Sequence, residues 1–235
     1  NSFVMMDIII SLKLAPANKL KVIAQGSSNG IDTSFFTVQN IISKEELRNR
    51  WGIGTTDFVF VFVGRIVKDK GINELVRSFV ELKKFYNDIR LLLVGGFERE
   101  LDPLAEDVED KISKDSFIIS VGCQSDVRPF LVMADVLAFP SYREGFPNVV
   151  MQAGAMGLPS IVTDINGCNE IIQDGVNGKI IPPKNEKALY EAMKWMYEHH
   201  KTKVKEMAQR ARPIIVERYE QKKVWEELLK EYKRL

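Results

Sequence analysis

The chain lacks the features that mark several classes of protein. It has two cysteines, Cys123 and Cys168, without ligand-like spacing, so we expect free thiols in a reducing compartment rather than a disulfide framework. Its 33 basic and 32 acidic residues leave a formal charge of +1. This balance argues against a nucleic-acid-binding surface or a polybasic membrane segment. No apolar run reaches the ~18 residues of a membrane-spanning helix.

Common nucleotide and metal motifs are missing as well. The sequence has no GxxxxGK[ST] loop and no two aspartates spaced i, i+2. The stretch "GIGTTD" (52–57) carries two glycines of a dinucleotide fingerprint, but it precedes an apolar run instead of following one. His199 and His200 are adjacent, so they cannot share a helix face as metal ligands. We therefore predict no metal and no bound cofactor.

From residue 57 onward, short apolar runs alternate with amphipathic segments. The runs are apolar almost throughout, as expected of parallel strands covered on both faces. Such alternation predicts an α/β fold, a Rossmann-like doubly wound parallel sheet. The predicted strands are 58–64, 89–96, 117–122, 135–140, 159–163 and 178–183. The predicted helices between them are 72–86, 125–135 and 147–157. The apolar stripe of the first of these helices includes Phe85.

The two ends of the chain have different patterns. Residues 1–50 predict an opening helix, a short strand at 21–26, a glycine-rich turn at 26–32 and a helix at 43–52. Residues 185–235 contain no strand signal and predict two or three helices. The last helix carries one apolar stripe, made of Val224, Leu228, Leu229 and Tyr232.

The loop after the first strong strand (63–71) is a candidate binding site. In an open parallel sheet, ligands bind beyond the carboxyl ends of the strands. Gly64 permits close backbone approach, and Arg65 and Lys70 place two cations in one short loop. These cations could hold a diphosphate, or the loop could simply be charged and solvated.

A second candidate is the turn that leads into the helix predicted at 147–157. Glu144 precedes it, and the amides of Phe146, Asn148 and Val149 would lie at a helix N-terminus, which favours anions. A carboxylate there could accept hydrogen bonds from sugar hydroxyls, or it could be an ordinary acid at a helix start. The glycine-rich turn at 26–32 could likewise bring backbone near a ligand or be a plain turn.

Three segments together resemble a known family. Residues 63–71, 119–172 and 174–183 are similar to the C-terminal half of retaining glycosyltransferases of family 4, which have the two-domain GT-B fold. The resemblance covers about residues 20–235. It implies a hexosyltransferase that moves a sugar, with retention, from a nucleoside diphosphate to a glycan or lipid-linked acceptor. The segments "SSNGID" and "NGCNEII", the latter with Glu170, most resemble bacterial enzymes that build capsular or surface polysaccharides.

The resemblance also implies roles for particular residues. Arg65 and Lys70 match the pair that binds the donor diphosphate, and Glu144 matches the first acid of the family's E-x7-E motif; these three are the implied catalytic residues. The second acid is Gln152 here, whose amide can still contact the ribose, with a loss of roughly 1 kcal/mol from the missing charge. The further implied donor-binding residues are Gly64, Gly122, Cys123, Gly145, Phe146, Pro147, Asn148 and Val149.

The family's acceptor-binding domain has no counterpart in this sequence. We expect residues 1–19 to be its trailing segment, 20–218 to be the nucleotide-sugar-binding domain and 219–235 to be a C-terminal crossover helix. Alternative functions are a non-catalytic sugar-nucleotide-binding module or another GT-B enzyme, such as a phosphorylase or an epimerase. We expect a cytoplasmic location, with peripheral association at the inner membrane face left open for the full-length enzyme.

Overall fold

The computed structural model describes residues 2–39 and 41–234, and its centre is a six-stranded parallel sheet. The strands are β1 Phe58–Val63, β2 Ile89–Val94, β3 Ile118–Ser120, β4 Val136–Phe139, β5 Ser160–Thr163 and β6 Gly178–Ile181. Their order is β3-β2-β1-β4-β5-β6, and every neighbouring pair is parallel. The order reverses between β1 and β4, which is where such sheets form a ligand-binding crevice.

Helices cover both faces of this sheet. They are α1 Phe3–Ser11, α2 Lys44–Arg50, α3 Ile72–Lys83, α4 Glu106–Lys114, α5 Arg128–Met133, α6 Asn148–Ala155, α7 Cys168–Ile171, α8 Glu186–Glu198, α9 Lys203–Tyr219 and α10 Gln221–Arg234. All six residues of β1 are buried, which explains its unbroken apolar sequence. The six strands predicted from residue 57 onward and the Rossmann-like sheet are confirmed.

Two helix predictions need correction. The stripe predicted for α3 buries Leu75, Phe79 and Leu82, but the helix ends at Lys83, and Phe85 beyond it is 67% exposed. Helix α4 was not predicted, because it buries only two apolar residues. Its acids in the first turn and lysines in the last turn, which complement the helix dipole, were the available signal.

The strand predicted at 21–26 is wrong. Ala24 has a φ of 52° and Ser27 a φ of 73°, which are left-handed conformations. An extended strand cannot continue through such residues. The segment instead crosses the surface as turns and irregular chain.

The glycine-rich turn at 26–32 packs against the junction between α9 and α10. The amide of Ile31 donates to the carbonyl of Tyr219 at 2.8 Å, and the amide of Gln221 donates to the carbonyl of Ile31 at 3.0 Å. A Cβ on Gly30 would lie 2.6 Å from the Tyr219 carbonyl oxygen. The glycine is therefore required by close packing.

The two terminal helices expose apolar side chains. Helix α1 buries none of its residues. In α10, Val224 is buried, whereas Trp225, Leu229 and Tyr232 are at least half exposed. Within residues 2–39 and 41–234, no helix combines the length and the apolar character needed to cross a bilayer.

Candidate functional site

The loops that follow β1, β2 and β3 touch one another through glycines. The amide of Gly64 donates to the carbonyl of Val94, and the amide of Gly95 donates to the carbonyl of Gly122, both at 2.9 Å. A Cβ on Gly95 would lie 1.8 Å from the carbonyl oxygen of Gly64. The backbone at this edge of the sheet is therefore closely packed, and side chains from the three loops lie around it.

An ion pair joins the loop after β1 to the loop after β4. The Lys70 Nζ lies 2.5 Å from Glu144 Oε1, and the Ser141 hydroxyl donates to the same oxygen at 2.8 Å. The two charged side chains are only 14% and 15% exposed. Close backbone contact sets this arrangement, because a Cβ on Gly71 would lie 2.2 Å from the carbonyl oxygen of Pro140.

The loop after β5 holds the backbone of the Glu144 turn. The Asn166 side-chain amide donates to the carbonyls of both Glu144 and Gly145. Gly167 has a φ of 77°, and a Cβ on it would lie 2.7 Å from the carbonyl oxygen of Gly145. Our sequence reasoning missed Asn166, although its place after a strand end was a signal that the crevice rule could have used.

Helix α6 begins directly beyond this turn. Pro147 occupies the N-cap position, and no side chain caps the helix. The first-turn amides of a helix have no intrahelical partners, so this end is electropositive and can bind an anion. Gln152 lies one turn further along, half-buried, and its side chain makes no hydrogen bond within the described residues. The Phe146 ring packs edge-on against Tyr219 with ring centroids 5.5 Å apart.

Arg65, the other predicted cation, forms a different ion pair. Its Nη1 lies 2.7 Å from Glu98 Oε2, and its side chain is 53% exposed. The Glu98 carboxylate raises the pKa of the Arg65 guanidinium, with smaller contributions from Asp69 and Glu144. Lys68 is exposed and makes no ion pair in the part of the chain that the structure describes. Glu98 was also missed from the sequence, although it follows β2 in the stretch "GGFERE".

The two cysteines lie in contrasting surroundings. Cys123 is exposed in the loop after β3, and a Cβ added to Gly96 would lie 2.8 Å from its Sγ. Cys168 is buried, and burial raises the pKa of its thiol. Among the residues that the structure describes, no group of three or more His, Cys, Asp or Glu side chains could hold a metal ion.

The structure places the predicted site residues on the loops after β1, β3 and β4 and on the start of α6. It joins Lys70 directly to Glu144, and it joins Arg65 to Glu98 rather than to another predicted site residue. An edge that carries two cations, each paired with a carboxylate, beside a helix N-terminus can bind a phosphorylated ligand that carries hydroxyl groups.

Comparison with known proteins gives the family. The sequence pattern described as "Glycosyl transferases group 1" matches residues 43–213, more than half of the chain. The chain belongs to this family. A capsular polysaccharide biosynthesis glycosyltransferase, CapM of Staphylococcus aureus, is 32% identical over 221 residues, which are 94% of this chain and 57% of CapM. A putative teichuronic acid biosynthesis glycosyltransferase of Bacillus subtilis, TuaC, is 32% identical over 201 residues, which are 80% of this chain and 47% of TuaC.

Solved structures of group 1 and related glycosyltransferases share the fold, which is that of GT-B enzymes. The crystal structure of Anabaena HepE in complex with UDP superposes with a TM-score of 0.88 at 22% identity, covering 100% of this chain and 63% of HepE. The C-terminal domain of the group 1 protein LpcC from Francisella tularensis gives a TM-score of 0.70 at 23% identity, covering 81% of this chain and 98% of that domain. The chain thus spans 57% of CapM and 63% of HepE, but nearly all of the separately solved domain.

Proposed function

We propose that this chain is the donor-binding domain of a retaining glycosyltransferase that uses a nucleoside diphosphate sugar. The intact protein transfers the sugar to a glycan or lipid-linked acceptor in polysaccharide synthesis. The observation that carries this proposal is the ion pair of Lys70 and Glu144 beside the uncapped N-terminus of α6. Similarity to CapM supports a role in polysaccharide synthesis. The HepE structures in complex with UDP and with UDP-glucose support a nucleoside diphosphate sugar as the donor.

In this proposal, Arg65, Lys70 and the start of α6 hold the diphosphate. Negative charge builds up on the leaving diphosphate as the glycosidic bond breaks, so groups fixed around it lower the barrier. No metal is needed if these groups neutralise the phosphates. The backbone from Gly145 to Val149 lies along sugar and phosphate, and Gly122 and Cys123 face the base.

Glu144 is proposed to hold the sugar rather than to attack it. Its Oε1 already accepts from Lys70 and Ser141, which makes this carboxylate a poor nucleophile. Within the described residues no donor bonds to its Oε2, so that oxygen can accept from a sugar hydroxyl. Gln152 contacts the ribose through its amide. With no protein nucleophile, retention follows if the departing phosphate assists the incoming acceptor on the same face.

We further propose that residues 1–19 and 219–235 pack against an acceptor-binding domain, leaving 20–218 as the donor domain. The exposed apolar side chains of α1 and α10 support this division, because a surface helix normally packs its apolar side chains against the rest of the protein. The acceptor site then lies outside these 235 residues. A cytoplasmic enzyme working at the inner membrane face agrees with a lipid-linked acceptor.

Calorimetric titration of UDP and GDP tests the proposed function. Replacing Arg65 or Lys70 by alanine removes a charge-assisted contact worth about 1.5–3 kcal/mol, an affinity loss of about 10- to 150-fold. Lys68→Ala is the matched control, because Lys68 is an exposed cation in the same loop, and it should leave affinity nearly unchanged. Since Lys70→Ala also leaves Glu144 unpaired, thermal unfolding must show that the variant is folded at the titration temperature.

Failure of both nucleotides to bind, or a dominant effect of Lys68, would overturn the proposal. The alternative of a binding module without catalysis predicts the same titrations. It is distinguished by donor turnover in the intact protein, which only a transferase shows.

A further inference from the structure

We infer that Glu98 sets the affinity for the donor by competing with its diphosphate for Arg65. This inference rests on the proposed function and adds to it a residue that does not touch the donor. The Glu98 carboxylate and the Arg65 guanidinium form an ion pair at 2.7 Å on the strand-end edge where the diphosphate is proposed to bind. A diphosphate that binds Arg65 must therefore replace the carboxylate.

Backbone contacts bring the two residues near each other. The amide of Ile66, next to Arg65, donates to the carbonyl of Gly96 at 2.8 Å, so the loops after β1 and β2 stay joined beyond the strands. The carbonyl of Glu98 accepts from the amide of Asp102 at 3.1 Å, which holds the turn that carries the carboxylate. The two charged residues thus project from adjoining backbone, and their pairing is a feature of the fold.

The other charges of the β2 loop lie elsewhere. Arg99 stacks on the ring of Phe97 and pairs with Glu109 at 2.9 Å. Glu100 is exposed and makes no ion pair within the described residues. Asp102, the third acid of this loop, accepts from the backbone amide of Asp69 at 2.6 Å. Of the three acids, only Glu98 therefore bonds to Arg65.

The exposure of the two ion pairs indicates which one opens. Arg65 and Glu98 are 53% and 33% exposed, and exposed pairs are weakly held in water. Lys70 and Glu144 are 14% and 15% exposed, and Ser141 also donates to the Glu144 carboxylate, so their pair costs more to separate. Arg65 is thus the cation that changes partner, from a single carboxylate to a more highly charged diphosphate.

The test is the calorimetric affinity of Glu98→Gln for UDP and GDP, with Glu100→Gln as the control. Both variants remove one negative charge from the same loop, but only Glu98 bonds to Arg65. We expect Glu98→Gln to bind the diphosphates about two- to fivefold more tightly, the range set by the strength of an exposed ion pair. Glu100→Gln should change affinity much less. Uridine and guanosine, which lack phosphates, should bind Glu98→Gln and the wild type equally.

A second arm places Glu98→Gln in the Arg65→Ala background, where the gain should disappear. Unchanged or weaker diphosphate binding by Glu98→Gln overturns the inference, as does an equal gain for the nucleosides or a gain that persists without Arg65. If the wild type binds neither diphosphate, the proposed function fails as well. If it binds in an Arg65-dependent manner without a gain in Glu98→Gln, the inference alone fails.

Discussion

Replacing Gly71 by alanine tests the backbone contact that brings Lys70 and Glu144 together. Gly71 has a φ of 72°, which costs an alanine about 1–2 kcal/mol. The added Cβ would lie 2.2 Å from the carbonyl oxygen of Pro140, a backbone atom that cannot rotate away. The loops after β1 and β4 must then separate, so we expect a total loss of about 3–5 kcal/mol in the free energy of unfolding.

Urea unfolding followed by circular dichroism measures this loss, with Gly52→Ala as the matched control. Gly52 has a φ of 65° but no atom within 4 Å of an added Cβ, so it should lose only the conformational cost of about 1–2 kcal/mol. The difference between the two losses in unfolding free energy is the steric cost of placing the Cβ against Pro140. Gly71→Ala should also weaken UDP or GDP binding, because Lys70 moves with the loop. Equal losses in the two variants would refute the reasoning.

Three further outcomes are expected. In calorimetry, Gln152→Glu should keep or modestly improve nucleotide affinity, whereas Gln152→Leu should lose a good part of it. An unchanged affinity in Gln152→Leu would place the residue outside the site. In a thiol titration of the native protein, Cys123 should react because it is exposed. Cys168 should react only on unfolding, because burial blocks access to its thiol and raises its pKa. Two reactive thiols in the native state would contradict this. In an assay with radiolabelled donor, the 235-residue chain should transfer almost no sugar compared with a protein that also has the proposed acceptor domain. The reason is that closure of two domains supplies an effective molarity worth ~7–11 kcal/mol of barrier lowering. Robust turnover by the chain alone would locate the acceptor site within it.

Much of the fold could be predicted because the strands are buried on both faces. The run that forms β1 is six residues long and has no polar residue, and this length and composition indicate a buried parallel strand. The segment around Ala24 misled the same reasoning, since Ala24 adopts a left-handed φ that its residue type does not signal. Helix α4 was missed because it rests on only two apolar residues, too few for a periodic signal.

The candidate site was predicted less completely, because its partners come from different loops. Lys70 and Glu144 were both singled out, but their bond depends on the closeness of Gly71 to Pro140. No local pattern reveals that Lys70 and Glu144, 74 residues apart in the chain, come into contact. Glu98 illustrates the same limit, because nothing in its own segment names Arg65 as its partner. Their roles toward a nucleotide-sugar stay predictions.

The backbone contacts at the strand-end edge bear on how this site can evolve. With Gly95 against the Gly64 carbonyl and Gly71 against the Pro140 carbonyl, an insertion beside these glycines would disturb close main-chain contacts. At these contacts, single side-chain replacements leave the main chain in place and are the direct route to a change in the proposed donor preference. Exposed positions such as Arg65 and half-buried ones such as Gln152 can change without moving the main chain. Libraries built to alter the proposed donor preference should therefore vary these side chains and keep the glycines at the contacts unchanged.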